Sequence, residues 1–120
     1  MTLTDAEWSV MEILWGGERF SLGEVAAPLT ERNGWNKKTT QTYLTRMEAK
    51  GAVRIERGTP RPYSARLTRD ECAKQERRRL LNAYRGAAGE LIAAFLKESS
   101  LSREEAERLR GLLDEMEADE

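Results

Sequence analysis

The segment best equipped for chemistry is Asn36-Lys-Lys-Thr-Thr-Gln-Thr-Tyr-Leu-Thr-Arg46, where short neutral hydrogen-bonding side chains sit between cations. Threonine hydroxyls and a glutamine amide can bond base edges, and a threonine methyl can meet the methyl of thymine. Lys37, Lys38 and Arg46 add charge for phosphates, which fixes position rather than sequence. This is the chemistry of nucleic-acid recognition, not of bond making. The chain has no His, so the commonest general base and metal ligand are missing. Its one cysteine, Cys72, excludes an intrachain disulfide and a multi-cysteine metal site. Cys72 falls near an expected helix start, which would lower its pKa, but nothing beside it suggests a base. A structural cysteine is the favoured reading, with redox sensing as the minor one. No glycine-rich phosphate loop is present. The expectation is a non-enzyme with no cofactor and no metal.

The charge is distributed to match. A net charge of −1 over 120 residues conceals +6 between residues 31 and 66, where nine basic residues face three acids. Residues 1–30 carry −4, residues 67–96 carry +2, and residues 97–120 carry −5. Nucleic-acid binding should therefore be confined to the middle third. The competing reading is a solvated lysine- and arginine-rich surface on a module that docks protein instead.

Several elements must position that segment. Thr4/Glu7, Ser21/Glu24, Thr68/Glu71 and Ser102/Glu105 all have the spacing of a capping box, each leading an amphipathic run. The first helix is expected from Asp5 to Trp15, with Trp8, Met11 and Trp15 on its buried face, and Gly16-Gly17 ends it. A second begins after Ser21 and buries Val25 and Leu29; Pro28 predicts that it is short or bent. Asn33-Gly34 makes a turn. A third runs from the Asn36 cap to the Gly51 stop, with Thr40, Tyr43, Leu44 and Met47 on one face. Lys38, Gln41, Thr42, Thr45 and Arg46 fall mostly on the opposite one. Four threonines are poor for helix propensity, so something else selects this surface. Val53 and Ile55 alternate with Arg54 and Glu56, and Tyr63, Ala65 and Leu67 with Ser64 and Arg66, which reads as a hairpin. Gly58-Thr-Pro-Arg-Pro62 joins the strands, with Arg57 and Arg61 bracketing the loop.

From Thr68 the pattern is helical to the end. Leu81, Tyr84, Ala88, Leu91, Ile92 and Phe95 form an apolar stripe that Gly86 and Gly89 can divide. Ala106, Leu109, Leu113 and Met116 recur at spacings of three and four, a seam of coiled-coil type. This segment has too few apolar residues to bury its own stripe, so a second copy is the expected cover. Leu81, Tyr84, Leu91, Ile92, Phe95, Leu109, Leu113 and Met116 are the candidate dimer residues.

The fold expected is mainly α with a small β-hairpin: an N-terminal winged helix-turn-helix over residues 1–67 and a C-terminal helical dimerisation module over 68–120. In such a fold the third helix enters the major groove and the wing lies beside the backbone. The candidate DNA-contacting residues are Asn36, Lys37, Lys38, Thr39, Gln41, Thr42, Thr45 and Arg46, with Arg57 and Arg61 from the wing. The three tryptophans are expected in the core rather than stacked on bases. The start Met1-Thr-Leu-Thr-Asp5 shows no secretory pattern, and Leu91 to Leu96 is the longest uncharged apolar run, so a cytoplasmic protein without membrane insertion is expected.

The residues also resemble a known family, the penicillinase repressors of the BlaI/MecI/CopY group of bacterial transcriptional regulators. The likeness is carried by Leu3-Thr-Asp-Ala-Glu-Trp-Ser-Val-Met11 with Ile13-Leu-Trp15, by Trp35 to Gly51, by Tyr63 and by Leu91 to Leu113. It implies a homodimeric repressor on a palindromic double-stranded operator, controlling β-lactam resistance or related genes. The copper-responsive branch carries Cys-x-Cys pairs at its end, which this chain lacks. In the penicillinase-type branch a membrane sensor protease system triggers cleavage near an Asn-Phe bond; Ala94-Phe95 matches that position here, with Ala in place of Asn.

Overall fold

The computed structural model describes residues 2–118, so Met1, Asp119 and Glu120 at the ends of the two expected domains lie outside it. Six helices and one hairpin follow in order: α1 (Asp5–Leu14), α2 (Leu22–Asn33), α3 (Lys37–Lys50), β1 (Val53–Ile55), β2 (Tyr63–Ala65), α4 (Arg69–Ala83), α5 (Ala88–Glu98) and α6 (Arg103–Ala118). The strands pair antiparallel with Val53 opposite Ala65 and Ile55 opposite Tyr63. Phe20 adds a single bridge to Tyr63, exchanging both backbone hydrogen bonds at 2.8 and 3.0 Å. This ties the turn after α1 to the hairpin. Three helices followed by a hairpin, with that bridge, make the winged helix-turn-helix.

The caps form largely as their spacing predicts. Thr4 with Glu7 and Ser21 with Glu24 make complete capping boxes. Ser102 and Glu105 also bond reciprocally. At Thr68 half the box forms: Thr68 Oγ1 accepts from the Glu71 N–H, but the Glu71 carboxylate takes the Thr68 hydroxyl rather than its backbone N–H. Gly34 and Gly51 end α2 and α3 at φ 71° and 87°, a conformation that a residue with a Cβ adopts only with strain.

Three expectations need correction. Pro28 does not shorten α2, which runs through it for 12 residues; Val25, Ala26 and Leu29 are buried on either side of it and hold the segment despite the missing donor. Trp8 and Trp15 are half-buried rather than central, Trp15 packed against the core that Val10, Met11 and Leu14 fill. An indole N–H needs a partner, and Trp15 finds one at the rim, donating to Leu67 O at 2.9 Å. Gly89 lies inside α5; the break after α4 falls at Arg85 and Gly86, both in the left-handed region.

Contacts divide the chain into two compact units, one reaching to Arg79 and one from Leu80 onward. The first unit extends past the hairpin's end near residue 67 because Cys72 is buried and Arg69 pairs with Glu12 at 2.6 Å. Its core gathers Val10, Met11, Leu14, Val25, Leu29, Leu44, Met47, Ala52, Val53 and Tyr63 from all three helices and both strands.

Candidate nucleic-acid interface

Helix α3 is anchored on one side and bare on the other. Thr40, Leu44 and Met47 are fully buried, and Trp35 stacks on Tyr43 with ring centres 4.5 Å apart and planes within 8°. The Asn36 carboxamide caps the start, its Oδ1 accepting from the Thr39 N–H at 2.8 Å. Thr30 Oγ1 donates to Trp35 O at 2.6 Å and fixes the entry to the helix. On the outer side Lys38, Gln41, Thr42, Thr45 and Arg46 are all exposed and together line one shallow groove. Asn36 and Lys37 are exposed beside them, and Thr39 is half-buried.

The outer threonines are pre-set. Thr42 Oγ1 donates to Lys38 O and Thr45 Oγ1 donates to Gln41 O, each at 3.0 Å. Their protons are committed to the helix, so each hydroxyl faces a ligand as an acceptor only, with its methyl alongside. Lys37, Lys38 and Arg46 have no carboxylate partner among the described residues. The groove is therefore cationic, with neutral hydrogen-bonding groups at its centre.

The two wing arginines behave differently. Both Arg57 amino groups bond the Glu48 carboxylate at 3.0 Å, linking hairpin to α3. Arg61 pairs with Glu24 of α2 at 3.0 Å. Arg19 adds a third tie, reaching the Glu56 carboxylate at 2.7 Å, Thr59 Oγ1 at 3.1 Å and Arg61 O at 3.0 Å. The Arg57 guanidinium holds the Glu48 carboxyl below the usual carboxylate range. Glu24 is lowered by the Ser21 backbone N–H first, with Arg61 adding to it. Arg57 and Arg61 are thus each paired with a carboxylate while remaining more than half exposed.

Glu7 and Lys50 were not singled out by the sequence reading, although Glu7 stood in plain view as the third residue of a capping box. Glu7 is 7% exposed and accepts from the Thr4 N–H at 2.8 Å and from Lys50 Nζ at 2.6 Å. Burial pushes its carboxyl up, but the Lys50 and Thr4 bonds outweigh that and leave it lowered. The pair pins the end of α3 to the start of α1. Cys72 corrects the opposite expectation: it is 3% exposed, and burial, aided by the Glu71 charge, pushes its thiol up rather than down.

In the second unit Leu81, Tyr84 and Leu91 are half-buried, whereas Ile92, Phe95, Leu109, Leu113 and Met116 are exposed. Ile92, Phe95, Leu96, Leu101 and Leu109 line an apolar groove. Ala94 and Phe95 sit inside α5, with Ala94 half-buried. No helix among the described residues is long and apolar enough to cross a membrane.

The family model for the penicillinase repressor matches residues 3–115. The chain belongs to the penicillinase repressor family. The penicillinase repressor of Bacillus licheniformis is 30% identical over 115 residues, covering 94% of this chain and 90% of that one. The methicillin resistance regulatory protein MecI of Staphylococcus aureus strain N315 is 27% identical over 113 residues, 92% of each. Among solved structures, the Bacillus licheniformis BlaI monomeric form in complex with the blaP half-operator aligns with a TM-score of 0.52 at 29% identity, over 59% of this chain and 88% of that one. The DNA-binding domain of the repressor BlaI aligns with a TM-score of 0.50 at 29% identity, over 59% and 93%. In this penicillinase repressor family member the outer face of α3 is therefore carried on the same kind of winged helix as in BlaI.

Proposed function

We propose that the chain is a homodimeric transcriptional repressor, each protomer laying α3 in the major groove of one half of a palindromic operator. The observation that carries this reading is the outer face of α3, where unpaired Lys37, Lys38 and Arg46 frame Gln41, Thr42 and Thr45 on a helix whose inner face is locked to the core. A rigid rod with cations at its ends and acceptors at its centre suits phosphates outside and base edges inside. The half-operator held by BlaI supports the assignment. Residues 1–67 bind DNA in this reading, and residues 68–120 join two protomers.

The dimer follows from burial. Ile92, Phe95, Leu113 and Met116 are between 48% and 68% exposed, an arrangement that a second copy relieves at about 25 cal/mol per Å² of apolar surface. Two linked half-site contacts then raise operator affinity well above that of one. Release follows from splitting the dimer. Cleavage at Ala94-Phe95 by a sensor-controlled protease would do so, after local unwinding of α5. The protein then works in the cytoplasm, on resistance or related genes.

A gel shift with the promoter region of the chain's own gene tests this. Lys38→Ala and Arg46→Ala should each weaken the complex while leaving the thermal transition in place. Unchanged binding by both variants refutes the reading helix. A wild-type chain that binds no duplex even at low salt leaves the alternative, a winged helix that docks protein.

A further inference from the structure

Six arginines surround the hairpin, and four of them are matched with carboxylates: Arg19 with Glu56, Arg57 with Glu48, Arg61 with Glu24 and Arg69 with Glu12. The remaining two, Arg54 and Arg66, are exposed and have no carboxylate partner among the described residues. They are also neighbours. Arg54 stands opposite Ser64, and the Arg66 N–H bonds Ala52 O at 2.9 Å, so both side chains leave the same face one diagonal step apart. They line one cleft together with Glu48, whose carboxylate is already held by both amino groups of Arg57, and border a second with Trp15, Glu18 and Arg69. Like charges at adjacent cross-strand positions repel. Around this hairpin these two arginines are left side by side without a carboxylate among the described residues, a local excess of positive charge suited to an anion.

The position of Glu48 places that anion. Glu48 lies seven residues after Gln41 and three after Thr45, on the edge of the outer face of α3. The cleft thus continues the reading surface along one flank. We propose that Arg54 and Arg66 form a phosphodiester-binding pair on the solvent face of the wing, gripping the duplex backbone beside the groove that α3 enters. The assignment rests on the chain being a duplex-DNA binder. It adds Arg54 and Arg66, which have no carboxylate partner among the described residues, to Arg57 and Arg61, which are exposed but paired with Glu48 and Glu24. Because the contact is to the backbone, it adds affinity without sequence preference.

The test measures affinity of the full chain for its promoter duplex as a function of salt. Removing two phosphate contacts per protomer with Arg54→Gln and Arg66→Gln should reduce the slope of log affinity against log salt by about 1.8 per bound protomer. The wild-type advantage should then shrink by roughly tenfold over a fourfold rise in salt. Arg54→Lys with Arg66→Lys should restore most of the slope, because charge is kept. The thermal midpoint without DNA should stay level or rise as repulsion is removed. A scrambled duplex should lose as much as the promoter does. An unchanged slope in the Gln variant, while Lys38→Ala still weakens binding, overturns this inference alone. A wild-type chain that binds no duplex overturns the proposed function and this pair with it. Inorganic phosphate that by itself shifts the Arg54 and Arg66 side-chain resonances at low millimolar concentration assigns the pair to a free anion and also overturns it.

Discussion

The two units of this chain handle apolar surface in opposite ways. In the first, side chains of α1, α2, α3 and β1 and Ala52 between α3 and β1 are fully buried, and the helix that carries the candidate interface is fastened by that core. In the second, no described side chain from Leu80 onward is buried, and Ile92, Phe95, Leu96, Leu101, Leu109, Leu112, Leu113 and Met116 are all more than a third exposed. The first unit has a core of its own. The second is amphipathic and, among the described residues, has no buried side chain, so its apolar stripe is open to a partner surface. In the proposed homodimer that division would let the reading head stay folded while the clasp opens.

Truncating the core should have the largest effect and should sharpen the contrast. Leu44→Ala empties a fully buried site between α3 and the rest of the core and should cost about 2–5 kcal/mol, seen as a lower urea midpoint. A loss below 1 kcal/mol would mean that the first unit is as loosely packed as the second. Next, Phe95→Glu on the exposed stripe should leave that midpoint nearly unchanged but weaken self-association roughly a hundredfold, about 3 kcal/mol. Sedimentation equilibrium decides it, and a variant that dimerises as well as wild type breaks the comparison.

Smaller effects probe how the first unit holds its helix. Glu7→Gln removes a charged bond at Lys50 and should cost about 1–2 kcal/mol at neutral pH. Glu7, Glu12, Glu24 and Glu48 all have folded pKa values below their ordinary 4.5. The unfolded chain therefore binds more protons between the two values, so their contribution is complete above pH 4.5 and lost as pH falls through the lowered values. Glu7→Gln should flatten part of that acid limb; an identical limb in the variant removes Glu7 from the account. Smallest of all, Thr40→Val should stabilise by up to about 1 kcal/mol, because Thr40 Oγ1 is fully buried and has no hydrogen-bond partner. A clear loss in calorimetry would show that the hydroxyl has a partner after all.

Much of the first unit was legible in its residues. Three capping sequences, the Asn36 cap and the Gly51 stop mark helix ends through local hydrogen bonding and backbone sterics, which need no tertiary information. The faces of α3 followed from the helical repeat, since Thr40, Leu44 and Met47 are spaced to share one side. The errors arose where distant groups intervene. Trp15 went to the rim because the Leu67 carbonyl, 52 residues away, was there to receive its N–H. Pro28 stayed within a full-length helix because its neighbours are packed on both sides. The pairing of Arg57 with Glu48 and of Arg61 with Glu24, nine and 37 residues away, is likewise not written in local spacing.

What the residues determined alone is whatever is written in short-range periodicity and charge: helices, hairpin, a cationic middle and an uncovered apolar tail. Which cations remain available was decided only in three dimensions. A guanidinium's role depends on the carboxylate beside it, and chain folding, not sequence spacing, brings the two together. The same holds for Glu7 and Lys50, 43 residues apart, whose contact fixes one end of α3.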